Sequence, residues 1–331
     1  MNNFPVGKLP LEVLKRLLAK VPRTDPRVLA GSAIGEDAVV IDMGDRVLVT
    51  KTDPISFATD RIGWYAVNVN ANDVACTGAR PKWFTASALL PEGKTDLALV
   101  ESIFDGILEA CEQLGVELCG GHTEITYGLD RPILVGQMLG EVARDQLVIG
   151  RRILPGDAVI LTKGIAIEGT AVIGRERRTE LPAELAERAA QYLFDPGISI
   201  VKEALAASAA APVHAMHDPT EGGLATGLRE LAVAAGLGIL VSEPEIPILT
   251  ESKALAERYG LDPRGLLASG ALLIVCAPDD KDAVLAAIRA AGVSASVIGQ
   301  MKEQDFGLRV ASEQGLTDLP VFDRDEIARL F

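Results

Sequence analysis

Aromatic residues and cysteines are scarce in this 331-residue chain. Aromatics make up 4% of it, so Leu, Val, Ile and Ala must form most of the core that a 48% hydrophobic composition can supply. The four cysteines include no C-x-x-C pair. That dispersion fits neither a zinc ribbon nor a disulfide scaffold, and it predicts reduced thiols in a cytoplasmic protein.

Long apolar runs and an excess of positive charge are also missing. Residues 1–10 contain no apolar run of signal-peptide length, and no stretch of about 18 apolar residues predicts a transmembrane helix. The 46 acidic and 32 basic residues give a net charge of −14, which disfavours nucleic acid or an anionic membrane as the main partner. An anionic nucleotide stays possible, because a metal ion and glycine turns can override that field locally.

The common catalytic and nucleotide-binding fingerprints are absent as well. The chain has no G-x-x-x-x-G-K-[ST] P-loop, no G-x-G-x-x-G after a strand, no G-x-S-x-G elbow and no H-E-x-x-H. Any nucleotide site must therefore be built from more dispersed residues.

The length predicts two domains, and the Gly and Pro residues near Gly150–Gly156 place the boundary between residues 1–150 and 151–331. The β-α-β order near the end of the second part predicts an α/β or α+β layer. Helices are predicted at Leu9–Leu18, opened by Leu9-Pro10, and at Ile62–Ala79, Asp96–Leu114, Glu168–Gly174, Pro182–Tyr192, Gly197–Ala209, Glu221–Ala235, Leu249–Tyr259 and Lys281–Ala291. Strands are predicted at Ala38–Asp42, Arg46–Thr50, Trp83–Leu90, Val116–Cys119, Pro132–Val142, Ala158–Thr162, Ala271–Cys276 and Val293–Ile298.

Five polar patches stand out, and each joins a carboxylate or hydrogen-bonding residue to Gly, Pro or Asn. Widely spaced Asp residues supply the oxygen ligands that Mg²⁺ requires, and Gly-Gly lets backbone N–H groups approach phosphates. The pattern therefore predicts one dispersed nucleotide site. The patches are Gly35–Ala38, Lys51–Pro54, Asn70–Asp73, Gly120–Glu124 and His217–Gly223.

Taken singly, most of these patches also fit a purely structural role. Asp37 and Asp53 resemble ordinary turn residues. Asp73 is different, because a carboxylate in a helix of small apolar residues costs stability unless something pairs with it. Asp218 fits an N-cap with Pro219 at the first helical position. Capping does not explain Gly222-Gly223, which indicate close approach of a backbone or a ligand.

Gly120-Gly121 allow either a tight turn or a phosphate-facing loop at the end of a buried strand. His122 is either a hydrogen-bonded core histidine or a site residue.

In this order, the patches resemble the aminoimidazole ribonucleotide (AIR) synthetase, or PurM-like, superfamily. This superfamily includes the hydrogenase maturation factor HypE, thiamine-monophosphate kinase and selenophosphate synthetase. The similarity runs from about Pro10 to Val310, and Asp218–Leu224 resembles the form in HypE. It implies a two-domain α+β fold. The N-terminal domain would pair across a homodimer into a β-barrel with ATP near that interface, and the C-terminal domain would be a second α+β unit.

The resemblance also implies the roles of individual residues. Gly120, Gly121 and Thr123 would form the phosphate-facing loop, and Asn72 would orient the neighbourhood of Asp73. Asp73, His122 and Lys51 would carry catalysis, with Lys51 and Lys8 as candidate phosphate contacts. The reaction would be metal-assisted phosphoryl transfer to an oxygen of an unidentified small-molecule or protein-borne acceptor. Mg²⁺ on the ATP phosphates would be held by Asp37, Asp53, Asp73 and Asp218.

Two departures from the family leave alternatives open. HypE carries a reactive cysteine at its carboxyl terminus, whereas the last cysteine here is Cys276, so we expect no thiocyanate formation on this chain itself. His122 stands where several relatives have an acid, and histidine is a poorer Mg²⁺ ligand. His122 would then contact phosphate, or fewer metal ions would bind, with Glu124 partly compensating. The alternatives to an ATP-dependent enzyme are a non-catalytic nucleotide-binding scaffold and a small-molecule kinase.

Overall fold

The computed structural model of the protein describes residues 4, 9, 11–22, 24–31, 38–56, 60–149 and 152–331. These residues form nine α-helices and two β-sheets, an α+β architecture as predicted. None of the helices in these ranges is long and apolar enough to span a bilayer. The helices are α1 Leu11–Leu18, α2 Ile62–Cys76, α3 Leu97–Leu114, α4 Ile167–Glu176, α5 Ala183–Gln191, α6 Val201–Ala210, α7 Gly223–Ala235, α8 Thr250–Tyr259 and α9 Lys281–Ala290. The strands are β1 Val28–Ala30, β2 Val39–Asp42, β3 Val47–Ile55, β4 Arg80–Pro91, β5 Glu117–Thr126, β6 Ile133–Val142, β7 Ala158–Thr162, β8 Val213–His217, β9 Gly238–Ser242, β10 Leu273–Cys276, β11 Ala295–Lys302, β12 Leu308–Ser312 and β13 Gly315–Asp318.

The N-terminal sheet has six strands in the order β1-β2-β3-β6-β4-β5, and only the β4–β5 pair is parallel. Residues of β3 and β6 alternate between a buried face, covered by α2, and a half-exposed one. This alternation is typical of an antiparallel sheet with helices on one side. We call the half-exposed side the open face; it carries Leu48, Thr50, Trp83, Val135 and Leu139.

Helix α2 is buried over almost its whole length. One side lies on the N-terminal sheet, and Gly63 packs against α3 so closely that a Cβ at this position would lie 2.2 Å from the Ile103 carbonyl oxygen. The small residues of α2 therefore allow the predicted close packing against another backbone.

The C-terminal sheet has seven strands in the order β13-β12-β9-β11-β7-β10-β8. Every residue of β7 and β10 is buried, because helices cover both faces of this sheet. Helices α6 and α9 pack on the side of Ile160 and Ile274, and α7 packs on the side of Val159 and Val275. Two fully covered faces explain why these strands are continuous apolar runs.

Side chains of α2 also join the two domains. The Asn72 amide donates to the Ile198 carbonyl at 2.8 Å, and its oxygen accepts the Ile200 N–H at 2.9 Å. Near the start of α2, the rings of Trp64 and Phe194 meet edge-on with centroids 5.0 Å apart. The Arg61 guanidinium lies over both rings. These contacts fix the C-terminal domain against α2.

Three predicted elements are wrong in extent. The buried strand expected at Val116–Cys119 is β5, which continues through Gly120-Gly121 to Thr126 and is mostly exposed because it forms the sheet edge. Glycine at position 121 allows β5 to approach β4 closely here, since a Cβ on Gly121 would lie 1.9 Å from the Ala86 carbonyl oxygen of β4. The helix expected from Glu221 begins at Gly223 and is capped by Gly222, not by Asp218.

The strand expected at Arg46–Thr50 is β3, which continues to Ile55, so Asp53 lies within a strand and its predicted place in a turn is wrong. The remaining elements agree with prediction to within a few residues, except that the short strands β1, β8, β9, β12 and β13 were not predicted. The proposed domain boundary at residue 150 lies outside the described residues and stays a prediction.

We predict that Asn72→Ala destabilises the protein by about 3 kcal/mol, because it leaves the Ile198 carbonyl and the Ile200 N–H unpaired in the interior. Urea unfolding measures this change. The control is Asn68→Ala on the same face of α2, where the buried amide donates only to Trp64 of its own helix. An equal decrease in the free energy of unfolding in the two variants would contradict a specific inter-domain role for Asn72.

Candidate functional site

Three predicted site residues converge where β3 meets α2. The Lys51 Nζ lies 3.0 Å from the Asp73 Oδ2 and 3.7 Å from the Asp53 Oδ2. The side chains of Asp73 and Lys51 are 9% and 18% exposed, whereas that of Asp53 is 40% exposed and forms the solvent-accessible side of the cluster. The cluster therefore combines a partly desolvated ion pair with one carboxylate open to solvent.

Strand alternation explains this convergence. Lys51 and Asp53 are two residues apart on β3, so both side chains point to the face that α2 covers. There they meet Asp73, near the carboxyl end of α2. The charge that the sequence could not explain in a small apolar helix is thus paired with Lys51, as the cost of burying a carboxylate requires.

The asparagines of α2 hold the backbone around this cluster. Asn70 donates to the Ala66 carbonyl at 2.8 Å and to the Asp53 carbonyl at 3.3 Å, which ties β3 to the helix. Asn72 is fully buried, and its amide bonds to the C-terminal domain. The Asn72 side chain is therefore committed to the C-terminal domain beside Asp73, and both an orienting role toward Asp73 and contact with a nucleotide stay predictions.

Asp218 reaches the same end of α2 from the C-terminal domain. It follows β8, is 4% exposed, and its Oδ1 lies 3.6 Å from the Cys76 Sγ, which donates to it. Cys76 is three residues beyond Asp73 on α2, about 4.5 Å along the helix axis. Inter-domain packing thus places Asp218, from 142 residues along the chain, against Cys76, one helical turn beyond Asp73.

The turn after Asp218 is shaped by another backbone. Gly223 has φ +65°, and a Cβ there would lie 2.6 Å from the Arg264 carbonyl oxygen and 2.8 Å from that of Leu266. The N–H of Gly222 donates to the Asp325 Oδ2 at 2.7 Å. Close approach of a backbone, one of the two alternatives predicted, therefore explains Gly223, whereas a Cβ at Gly222 would lie 2.2 Å from the Thr226 Oγ1. The carboxylate near the start of α7 comes from Asp325.

The Gly120–Thr123 segment lies apart from the cluster within one chain. Register pairs Asp53 with Gly136, Gly136 with Ala86, and Ala86 with Gly121, so Asp53 and Gly121 share a row but lie three strands apart, about 14 Å. His122 is exposed and faces Glu124 at 3.5 Å. The expectation of a loop at this position is wrong, and a phosphate-facing role for Gly120, Gly121, His122 and Thr123 stays a prediction.

Asp37 and Lys8 lie outside the described residues, so their predicted roles stay predictions. Among residues 38–56, 60–149 and 152–331, no three His, Cys, Asp or Glu side chains are grouped to hold a metal. Asp53 and Asp73 nevertheless already converge on one cation, the Lys51 ammonium group. Mg²⁺ is commonly bound by one or two carboxylates plus substrate phosphates, so this pair fits such an ion.

Two buried charged residues near the site were missed from the sequence. Burial raises the pKa of Glu168 to about 7, a hydrogen bond with Ser269 opposes this, and the charges of Asp325, Glu221 and Asp218 add to it. Its place in the apolar run Ile165–Thr170 was the available signal. Lys163 is also buried; its Nζ lies 2.9 Å from the Glu203 Oε1 and donates to the Ser199 carbonyl at 2.6 Å.

We predict that Glu168→Gln changes the pH dependence of stability. Because the folded-state pKa of Glu168 is raised to about 7 from 4.5, this group destabilises the fold as pH rises through that interval. The effect reaches roughly 3 kcal/mol above pH 7. Glu168→Gln should therefore gain stability relative to wild type between pH 5 and pH 8, as measured by urea unfolding at both values.

The exposed Glu257 provides the control for this measurement. Glu257→Gln should keep the wild-type pH dependence. A Glu168→Gln variant whose stability parallels wild type at pH 5 and pH 8 would contradict a protonated, buried carboxyl at this position.

Comparison with known proteins agrees with this fold. Residues 35–142 match the model of the AIR synthase related protein N-terminal domain, and residues 155–311 match that of the C-terminal domain. The chain is 34% identical to the carbamoyl dehydratase HypE of Cupriavidus necator over 254 residues, covering 76% of this chain and 70% of that protein.

Two solved structures share the fold. The HypE–HypF complex has a TM-score of 0.77 at 22% identity, covering 94% of this chain and 100% of the matched chain. HypE in complex with ATP has a TM-score of 0.68 at 24% identity, covering 95% and 96%. With both domain models matched in order and a relative above 30% identity, the chain belongs to the AIR synthase-related family, in which its relatives include HypE proteins.

Proposed function

We propose that the protein is an ATP- and Mg²⁺-dependent enzyme that activates an oxygen atom of an acceptor by phosphoryl transfer. The observation that carries this proposal is the convergence of Lys51, Asp53 and Asp73 beside Asp218. Two features of relatives support it: one similar structure is HypE in complex with ATP, and one relative is a carbamoyl dehydratase.

Each residue of the cluster has a distinct role in this proposal. Asp53 and Asp73 would hold Mg²⁺ on the ATP phosphates, and Mg²⁺ would supply charge neutralisation during transfer. Lys51 would move from the two carboxylates to a phosphate oxygen, where its charge is needed when ATP is bound. Asp218, presented by the C-terminal domain, and Asp37 would complete the set of acids.

The acceptor chemistry that fits this family is dehydration of an amide. The amide oxygen forms a bond to the γ-phosphorus while the bond to the bridging oxygen breaks and ADP leaves. The carbon–oxygen bond then breaks and releases phosphate, and the nitrogen loses both protons to leave a nitrile. One ATP becomes ADP and phosphate, and the atoms of one water leave the amide.

We also propose that a second copy of the chain covers the open face of the N-terminal sheet. Apolar residues Leu48, Trp83, Val135 and Leu139 are only half-buried there, on a face that alternates with the buried one. The sheet edge β5 carries the Gly120–Thr123 segment, which one chain leaves about 14 Å from Asp53. In a dimer formed through this face, the Gly120–Thr123 segment of one subunit would contribute to the nucleotide site of the other subunit.

A protein that binds nucleotide without turnover is the second candidate. The observation in its favour is that Lys51 already pairs with both Asp53 and Asp73, in the place where a catalytic metal would sit. A small-molecule kinase would use the same acids and differs from the leading proposal only in keeping the phosphate on its acceptor.

We expect Asp73→Asn to lower ATP turnover by about 100-fold or more, because it removes a charge that holds Mg²⁺ without changing side-chain size. ADP release is measured with ATP and Mg²⁺, with and without a small-metabolite extract. The exposed Asp130 gives the control Asp130→Asn, which should retain full turnover.

ATP binding by wild type without turnover under every condition would favour the scaffold over the enzyme. Failure of wild type to bind ATP at all would overturn the site itself. A nitrile or cyanide-releasing product separates dehydration from a kinase reaction, which leaves a stable phosphorylated product.

For the dimer, Leu139→Glu is expected to convert the protein to a monomer, because two charges would be buried at the centre of the open face. Sedimentation velocity measures the mass in solution. Val233→Glu, which changes an exposed apolar residue of α7, should leave the mass unchanged. A monomeric wild-type protein would disprove the proposed pairing.

A further inference from the structure

A cavity lies against the C-terminal domain, at the end of the N-terminal sheet opposite to the Lys51 cluster. It has a volume of about 490 Å³, within the size range of small-molecule sites. The N-terminal domain contributes the ends of β3, β4 and β6, and α6 contributes the other wall. Its polar lining consists of Asp45, Arg46, Arg80, Lys82, Glu141, Gln146 and Ser208.

The cavity is separate from the cluster around Lys51. Arg46 precedes Lys51 by five residues on or next to β3, which corresponds to about 16 Å along a strand. Register places Arg80 opposite Glu141, and Glu141 opposite Leu48, so the basic residues lie at the far end of the sheet from Asp53.

Cations outnumber acids in this cavity although the whole chain carries a net charge of −14. Glu141 is shared between two cations, Lys82 at 2.6 Å and Arg46 at 3.1 Å. Asp45 is the other acid of the lining, and it is almost fully exposed. The exposed Arg80 side chain makes no hydrogen bond, ion pair or ring contact within the described part of the chain, so its five N–H donors are available to a ligand.

The α6 wall of the cavity is also linked to the inter-domain contact made by Asn72. Helix α6 begins directly after Ile200, whose N–H bonds to Asn72, and it presents Ser208 to the cavity about two turns later. A ligand that touches Arg80 and Ser208 would therefore contact both domains at once.

We propose that this cavity binds a small metabolite that bears a phosphate or carboxylate group. Arg80 would make the main contact with that anionic group, and Lys82 and Arg46 would make additional contacts. A planar guanidinium with free donors suits bidentate recognition of such groups. Because the ligand bridges both domains, its binding stabilises their relative orientation. This site does not depend on the proposed phosphoryl-transfer function.

The test uses pyrophosphate and citrate, without Mg²⁺, as phosphate and carboxylate probes. Isothermal titration and thermal unfolding are followed at constant ionic strength, with sodium chloride as the reference. We expect one probe per chain, and Arg80→Ser should weaken binding by about tenfold, the loss of a charge-assisted contact. Preference for pyrophosphate or citrate identifies the ligand class.

Three variants make the result decisive. Arg289→Ser, which removes an exposed arginine from α9, should bind as wild type does, and Arg80→Lys should recover part of the affinity. Lys51→Met should keep the binding, which separates this cavity from the nucleotide site. Equal binding by Arg80→Ser and wild type, loss of binding in Lys51→Met, or a sodium chloride effect of the same size would overturn the proposal.

Discussion

The burial of helix α2 is the constraint on which the rest of the structure depends. Its polar side chains lie in the interior, so each must find a partner, and those partners define the site. Asp73 pairs with Lys51, Asn70 reaches the Asp53 carbonyl, and Asn72 binds the loop before α6. One turn later, Cys76 donates to Asp218. A single helix thus aligns β3 and joins the two domains at the candidate site.

This dependence explains which parts could be predicted from the sequence. Helices such as α3 have a clear apolar period, and β6 has a long apolar run, so both were placed correctly. Asp73 was recognised because a carboxylate in a small apolar helix requires a partner. Its pairing with Lys51 is not predicted from the sequence, since it arises from the packing of α2 on β3, which no local pattern encodes.

The remaining features depend on contacts between distant residues. Gly121 reads as a loop residue in sequence, but it serves the close approach of β4 and β5 at a sheet edge. Asp218 reads as a helix cap, whereas Asp325, more than 100 residues later, binds the turn that precedes α7. The burial of Glu168 and Lys163 depends on surroundings that come from separate segments, so the sequence alone does not predict it. Short strands such as β8 have too few residues to show a period.

The central claim is that Lys51, Asp53, Asp73 and Asp218 belong to one nucleotide site. The most direct measurement is a crystal structure of the protein with Mg²⁺ and a non-hydrolysable ATP analogue. The account predicts the γ-phosphate in contact with the Lys51 Nζ, and Asp53 and Asp73 bound to Mg²⁺ on the phosphates. A nucleotide bound elsewhere, with Lys51 still paired to both carboxylates, would contradict it.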